Sequence, residues 1–521
     1  MTSNDAPRAG RREWLGLAVL ALPTMLLSLD LSVLFLALPH LSADLGASTT
    51  EQLWSSDVYG FMTAGFLVSM GTLGDRIGRR KLLLIGATGF VAASVLASFS
   101  TSPEMLIMAR ALMGIAGATL LPSTLGLVRT MFGDPRQLGT AIAVWTTSYM
   151  AGVALGPVVG GILLQSFWWG SVFLMAVPVM ALLLIAGPLL LPEARDSQAG
   201  RLDLVSVVIS LVAILPIIYG LKELARHGWE PLPITMIIIG AAFGLLFVIR
   251  QRRLADPLLD LSLFRIRSLR AAVLIGLFVA LLQAGGTGLV VTLHLQTVEG
   301  LSPLSAGLWL VVPALALVVS INLTPALARR FRPAYVIAAG MVITVIGYLV
   351  LVSVPSDGGL ATLIAGTAIA YFGVGPAAAL INQLVLASAP PEKASSAGSL
   401  PATSGEFGIA LGIATLGSVA SAVYRDRLTI PAGVPAEAAD TARESIAGGV
   451  AAAADLPGAL GNALLESARD AFNSGVHVVA IISAVLFAGL ALLVLATLRH
   501  AQPTGQPQPE PQPDRDAEVE V

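Results

Sequence analysis

Cysteine is absent from all 521 residues, which excludes disulfides, thiolate metal sites, iron–sulfur clusters and cysteine nucleophiles in one step. Charge is scarce as well. Asp, Glu, Lys and Arg make up 12% of the chain, about half of the roughly 25% usual in soluble domains. The net charge of −2 gives no electrostatic argument for nucleic acid as a partner. What remains is apolar: 55% hydrophobic residues and a mean hydropathy of +0.83 describe an integral membrane protein.

The apolar runs are continuous, not alternating, which argues against barrel strands. A helical span needs about 20 apolar residues. Fourteen runs meet or approach that length, at roughly 14–39, 53–73, 82–99, 104–128, 138–164, 169–191, 203–221, 232–249, 270–297, 304–327, 334–354, 360–387, 397–423 and 475–498. Residues 1–13 are basic, as in a signal peptide, but the run behind them exceeds the roughly 7–15 residues of a secretory core, so it is expected to stay as the first helix. An N-in, C-in topology places 23 of the 30 Lys and Arg residues on the cytoplasmic side. Six fall outside (Lys222, Arg226, Arg425, Arg427, Arg443 and Arg469), and Arg110 falls inside the membrane.

The expected fold is all-α. A cytoplasmic N-terminus (1–13) precedes a six-helix bundle (14–191), two inserted helices (192–249), a basic cytoplasmic linker (250–269) and a second six-helix bundle (270–498). Within the second bundle, an extracellular segment 424–474 is Ala-rich and reads as a helical hairpin broken at Asp455-Leu456-Pro457-Gly458. The Pro- and Glu-rich stretch 499–521 is expected to be disordered and cytoplasmic.

Ionisable residues inside the spans carry the functional signal, because a charge at the bilayer centre costs about 2.5–3.5 kcal/mol even on the lenient insertion scale. At 1.5 Å per residue, Asp57 lies about 6 Å, Arg110 about 10 Å and Asp30 about 13 Å below the outer edge. All three therefore share the outer half of the first bundle. They form either a structural ion pair or a proton and cation site, and two acids against one base leave a negative surplus for a cationic ligand. Glu406 lies about 14 Å into its span, near the midplane. Gly405 and Gly408 beside it leave room for a ligand, and Asn322, Asn382 and Gln383 are its candidate partners. Tyr59, Trp145, Tyr149 and Phe407 are candidate pocket aromatics for stacking on flat cations, although Trp and Tyr also form interfacial belts. His294, near an outer helix end, reads as a polar interface residue.

Two glycine patterns complete the picture. Gly71-Thr-Leu-Gly74-Asp75-Arg76-Ile-Gly78-Arg79-Arg80-Lys81 joins two spans on the cytoplasmic side, where glycine permits a tight turn and Asp75 can pair with an arginine. Gly152-Val-Ala-Leu-Gly156-Pro157-Val-Val-Gly160-Gly161 strips side chains from one helix face.

With Leu29-Asp30…Pro39 in the first span and Met108-Ala-Arg110…Gly114-Ile-Ala-Gly117 in the fourth, these runs resemble the motifs of the major facilitator superfamily. The order resembles the fourteen-helix drug:proton antiporters, and Leu53-Trp54, Asp57-Val-Tyr59 and the long outer segment resemble their quaternary-ammonium efflux branch. The resemblance implies a proton-coupled multidrug antiporter of the bacterial cytoplasmic membrane, not an enzyme. It would work as a monomer by alternating access, with no cofactor beyond the proton motive force. Its partners would be lipophilic cations, protons and membrane lipids. It implies proton and cation roles for Asp30, Asp57, Arg110 and Glu406. Gly71, Gly74, Asp75, Arg76, Gly78 and Arg79 would form a gate, and Gly152, Gly156, Pro157, Gly160 and Gly161 a pliable seam between the bundles. Some relatives place an additional acid in the tenth span. Here 311–326 has none, which favours monovalent cargo. Export of an endogenous lipid or antibiotic is the alternative on the same fold, and a sensor without transport a remote one.

Overall fold

The structure is a computed structural model that describes residues 9–195, 203–227, 230–254, 257, 259–356, 358–389 and 394–498. The first eight residues and the Pro-rich stretch from 499 onward lie outside the described residues.

The described residues form helices and no strands. In chain order these are α1 (Arg11–Leu45), α2 (Thr49–Ile77), α3 (Arg79–Ser98), α4 (Pro103–Met131), α5 (Pro135–Ser166) and α6 (Ser171–Leu190). Next come α7 (Leu204–His227), α8 (Pro231–Gln251), α9 (Arg267–Thr297), α10 (Pro303–Arg330), α11 (Pro333–Val352), α12 (Leu360–Ser388) and α13 (Ala394–Arg427). The short α14 (Ala436–Glu444) and α15 (Ile446–Ala454) lead into α16 (Gly458–Leu498). Helix boundaries follow local chemistry. Ser48 and Glu51 form a reciprocal capping box at the start of α2, Ser-Pro pairs open α4 and α10, and Gly46 ends α1 at φ +63°.

Thirteen helices among the described residues are long and apolar enough to cross a membrane. The fourteenth is α2, whose polar residues Gln52, Ser55, Ser56, Asp57 and Thr63 are all buried. Such a helix is compatible with a bilayer because α4, α7 and α13 cover it. Helices α1–α6 form one six-helix bundle; α9–α13 with α16 form the other, and α7 and α8 are the two inserted helices. The bundles meet where α5 packs on α10, α2 on α13 and α1 on α9. Exposed side chains such as Ile185, Leu189, Ile238, Leu245 and Leu492 form the apolar outer belt.

Alternation of the spans puts the start of α1 and the end of α16 on one face, called here the terminus face; the opposite one is the hairpin face. The hairpin differs from the sequence reading. Its second Ala-rich arm is the first part of α16, a continuous 41-residue helix about 60 Å long. Leu464, Ala468 and Ala471 are buried, so the arm's apolar face packs like the span below it. Tyr424 Oη donates to Ala442 O at 2.8 Å and ties α14 to the end of α13.

On the terminus face, Asp203 closes the α7–α8 pair. It accepts from Ser206 N at 3.0 Å and from Arg250 Nη2 at 2.9 Å. Burial pushes its carboxyl up, but these hydrogen bonds and the Arg250 charge outweigh that and hold it below its ordinary value.

Candidate functional site

Two buried ion pairs replace the expected three-residue cluster. Arg110 Nη1 donates to Asp30 Oδ2, both groups being nearly inaccessible. Arg110 Nε donates to Ser55 O at 3.1 Å, and its guanidinium lies 4.6 Å from the Tyr59 ring centroid. Gly114 and Gly117 of α4 make this packing possible. A Cβ at either position would press on Tyr59, on its backbone at Gly114 and on its hydroxyl at Gly117.

Asp57 does not join that pair. Its Oδ2 lies 2.7 Å from Lys222 Nζ, with both side chains buried, and Trp54 covers the ammonium at 4.1 Å. Lys222 is therefore no outer-loop residue. The seventh apolar run stops at 221, but α7 continues to His227, and Lys222 follows the buried Ile218 by one turn. The correction is chemical as well as topological. Among the described residues, two acids face two bases here, one base supplied by the inserted α7, and the expected negative surplus around Asp30 and Asp57 is absent. A signal was available in the sequence: an acid inside a span needs a cation, and Lys222 lies in helical register with an apolar stripe.

The unbalanced charge is Glu406. It lines a cavity of about 350 Å³ between the two bundles, a size suited to a small drug-like molecule. Eight helices contribute: α1, α2, α4 and α5 from one bundle, α9, α10, α12 and α13 from the other. Among the described residues, Glu406 is the one charged side chain in its wall and has no ion-pair partner. The expected partners do not reach it. Asn322, Asn382 and Gln383 are exposed, and Asn322 Nδ2 donates to Val318 O at 2.8 Å within its own helix. Of its flanking glycines, Gly405 has open space, whereas Gly408 is filled by the backbone of Leu277 and the Ala280 side chain.

The aromatic expectations divide. Tyr59 and Tyr149 line the cavity. Trp145 instead donates through Nε1 to Thr124 Oγ1 at 3.1 Å, and Phe407 faces away, 6.0 Å from Phe61 in a small apolar cluster with Ile218 and Ala410. Phe35, Tyr371 and Gln283 complete the wall and were not singled out in the sequence. His294 is fully buried, with Nε2 3.3 Å from Asn473 Oδ1 of α16.

The glycine motifs hold helices at close range. In α5, Gly152, Gly156 and Gly160 pack on α1 at Met25–Ser28, Leu29–Ser32 and Val33, inside their own bundle. Pro157 and Gly161 face α10 across the bundle interface, against Gly307 and Pro303–Leu304. Only part of the motif is thus a seam between halves. Gly60 of α2 makes the other close approach, where an added Cβ would lie 2.9 Å from Ala410 Cβ and 3.4 Å from Glu406 O. In the α2–α3 turn, Asp75 pairs with Arg79 at 2.6 Å, and Arg79 Nη1 donates to Pro122 O at 2.9 Å. Gly78 has φ +111°, and its Cβ position is occupied by Glu193, which accepts from Arg80 N at 3.1 Å. Gly71 faces Pro122, Gly74 sits against Leu82 and Ser123, and Arg76 is exposed.

The sequence signature described as Major Facilitator Superfamily matches residues 20–413. The chain is 42% identical over 493 residues to the multidrug efflux pump LfrA of Mycolicibacterium smegmatis, covering 95% of this chain and 98% of that one. It is 34% identical to the methyl viologen resistance protein SmvA of Salmonella typhimurium (93% and 97% covered). It is 30% identical to the tetracenomycin C resistance and export protein of Streptomyces glaucescens (94% and 93%). Among solved structures, a bacterial homologue of the human lysosomal transporter Spinster, inward-facing and unoccupied, superimposes with a TM-score of 0.66 at 15% identity, over 94% of this chain and 98% of that one. At that identity the likeness concerns the fold.

Proposed function

The chain belongs to the Major Facilitator Superfamily and is a multi-pass efflux transporter, not an enzyme, and from that premise we propose that it exports lipophilic monovalent cations in exchange for protons. One observation carries the reading: among the described residues, a single unpaired carboxylate stands in a wall otherwise made of aromatic, apolar and uncharged polar side chains. A carboxylate in a largely apolar wall without a countercharge has two ways to neutralise, a proton or a cation. Occupation by one excludes the other, which is the condition for exchange. Tyr59, Tyr149, Tyr371 and Phe35 supply faces for a flat lipophilic cation, and the paired states of Asp30 and Asp57 leave one net negative charge, which suits monovalent cargo.

The terminus face is cytoplasmic in this reading, as the Lys and Arg distribution favours, and the bundles are parted on that side. Thr146, Thr147, Asn322, Asn382 and Gln383 are exposed polar side chains in the terminus-side halves of their helices, where water would suit them better than lipid. At the hairpin face the bundles are joined: Gly161 sits on Pro303–Leu304, Thr49 Oγ1 donates to Glu444 O, and α15 touches α1 and α9. Rocking of the bundles about the cavity would reverse this arrangement.

The test is proton release. Adding tetraphenylphosphonium to purified protein in weakly buffered detergent should release about one proton per cation bound, and Glu406→Gln should release none. Binding without proton release would sink the antiport reading. A second reading, antibiotic export, is favoured by the Streptomyces glaucescens relative, a tetracenomycin C resistance and export protein. Export of an uncharged antibiotic that survives Glu406→Gln would favour it.

A further inference from the structure

Midway along α9 the helix widens into a π-helical stretch, Ala280–Thr287. Such stretches are rare and concentrate at functional sites, because the extra residue re-aims side chains at the cost of regular hydrogen bonding. Here the widened turn lies against α13 just beyond Glu406. The Leu277 carbonyl fills the space at Gly408, the Leu281 carbonyl fills the space at Gly412, and Gly286 meets Leu416. The residue thereby brought into the cavity wall is Gln283, which is 5% exposed. Its Oε1 accepts from Tyr348 Oη at 3.0 Å, and that hydroxyl lies 2.8 Å from Thr287 Oγ1 on the same turn. With the oxygen held by Tyr348, the amide nitrogen is committed to the other side. Gln283 Nε2 is buried and has no hydrogen-bond partner among the described residues.

An orphaned buried donor costs about 1–3 kcal/mol, so in a finished core it would be replaced or satisfied. In a binding cavity the same donor can be satisfied by cargo. We propose that Gln283 is a specificity-determining residue: its Nε2 donates a hydrogen bond to an oxygen acceptor on the cation held at Glu406. The preferred cargo is then a lipophilic cation bearing a carbonyl or ether oxygen rather than a purely hydrocarbon one. Tyr348 is the positioning residue that holds the amide by its oxygen. This inference rests on the cation reading of the cavity and adds the second point of recognition to it.

The experiment compares tetraphenylphosphonium with two ring-substituted derivatives, one carrying an acetyl group and one an amino group. Binding to the purified full chain in detergent is followed by equilibrium dialysis. Wild-type protein should bind the acetyl derivative several-fold more tightly than the parent. Gln283→Met, similar in length but without the N–H, should erase that advantage, weakening the acetyl derivative by about 2–10-fold, while the parent changes less than twofold. Tyr348→Phe should reduce the advantage without removing it. Gln283→Leu serves if the methionine variant does not fold. An equal loss for parent and derivative, or no loss for either, would overturn the proposal. So would a loss confined to the amino derivative, which would put the amide oxygen and not the nitrogen toward the cavity. Failure of wild-type protein to bind any of the three would overturn the cation reading itself. Binding of all three with an unchanged ratio in the variants would overturn the Gln283 assignment alone.

Discussion

Glu406 and Asp30 are both membrane carboxylates, yet removing their charge should have opposite structural consequences. Glu406 has no partner among the described residues to lose, so Glu406→Gln should fold and melt like wild type while cation efflux from ethidium-loaded cells falls to the level of cells lacking the protein. Asp30→Asn leaves Arg110 buried beside Tyr59 without its carboxylate, a loss of the kind that costs about 3–5 kcal/mol. Efflux should stop there too, but with a lower melting temperature in detergent, read from unfolding monitored by tryptophan fluorescence. Unimpaired efflux by Asp30→Asn would remove the pair from any role in transport. The sequence placed Asp30, Asp57, Arg110 and Glu406 in the membrane by run length and helix rise alone, but left Lys222 outside. Partners were not legible that way. Pairing depends on which helix faces which, and depth is a coordinate along the normal only. Asp30, Asp57 and Arg110 share the outer half of the bundle, yet Asp57 turns to α7. For the same reason Gln283 went unnoticed: a polar residue in an apolar run carries no sign of the widened turn that aims it.

At the level of helices, α7 is more than an insertion between two bundles. It touches α2 of one and α13 of the other, and the Lys222–Asp57 pair fixes it to α2. Lys222→Met and Asp57→Asn should each destabilise the protein strongly by stranding the opposite charge, and the double variant should recover most of the loss. A double variant no more stable than the worse single one would show that the pair does not act as a unit. The α5–α10 contact offers a second test. Gly307→Val places bulk against the Pro157 carbonyl and should hold the hairpin face apart, so that cation binding persists but export is lost. Gly139→Val, at a position with open space, should leave export unchanged. Helix existence was legible because apolar runs of span length have few alternatives. The exceptions have physical causes. The end of α7 was placed at the first lysine, since a lone charge costs more than a turn of helix, and only Asp57 reverses that balance. The hairpin's second arm looked separate because its exposed face is polar outside the membrane, while its buried Leu464, Ala468 and Ala471 continue the stripe of α16.

For the whole molecule the number of titratable seats decides what drives export. If Asp30 and Asp57 stay paired through the cycle and Glu406 alone exchanges, one proton enters for each monovalent cation that leaves. The cycle then moves no net charge, so the membrane potential, worth about 2.3 kcal/mol per charge at 100 mV, contributes nothing to it. The gradient attainable is set by the pH difference, about 1.4 kcal/mol per unit. In proteoliposomes, nigericin with potassium, which removes the pH difference, should abolish tetraphenylphosphonium accumulation against its gradient. A valinomycin-imposed potential without a pH difference should not drive it, once passive cation uptake into protein-free liposomes is subtracted. Accumulation driven by potential alone would require a second proton per cycle. Among the described residues, Asp30 and Asp57 are the carboxylates buried within the spans, so the finding would assign one of the two ion pairs to proton transfer. Repeating the measurement with Asp57→Asn/Lys222→Met identifies which. Retained potential dependence assigns the second proton to Asp30, and its loss assigns it to Asp57.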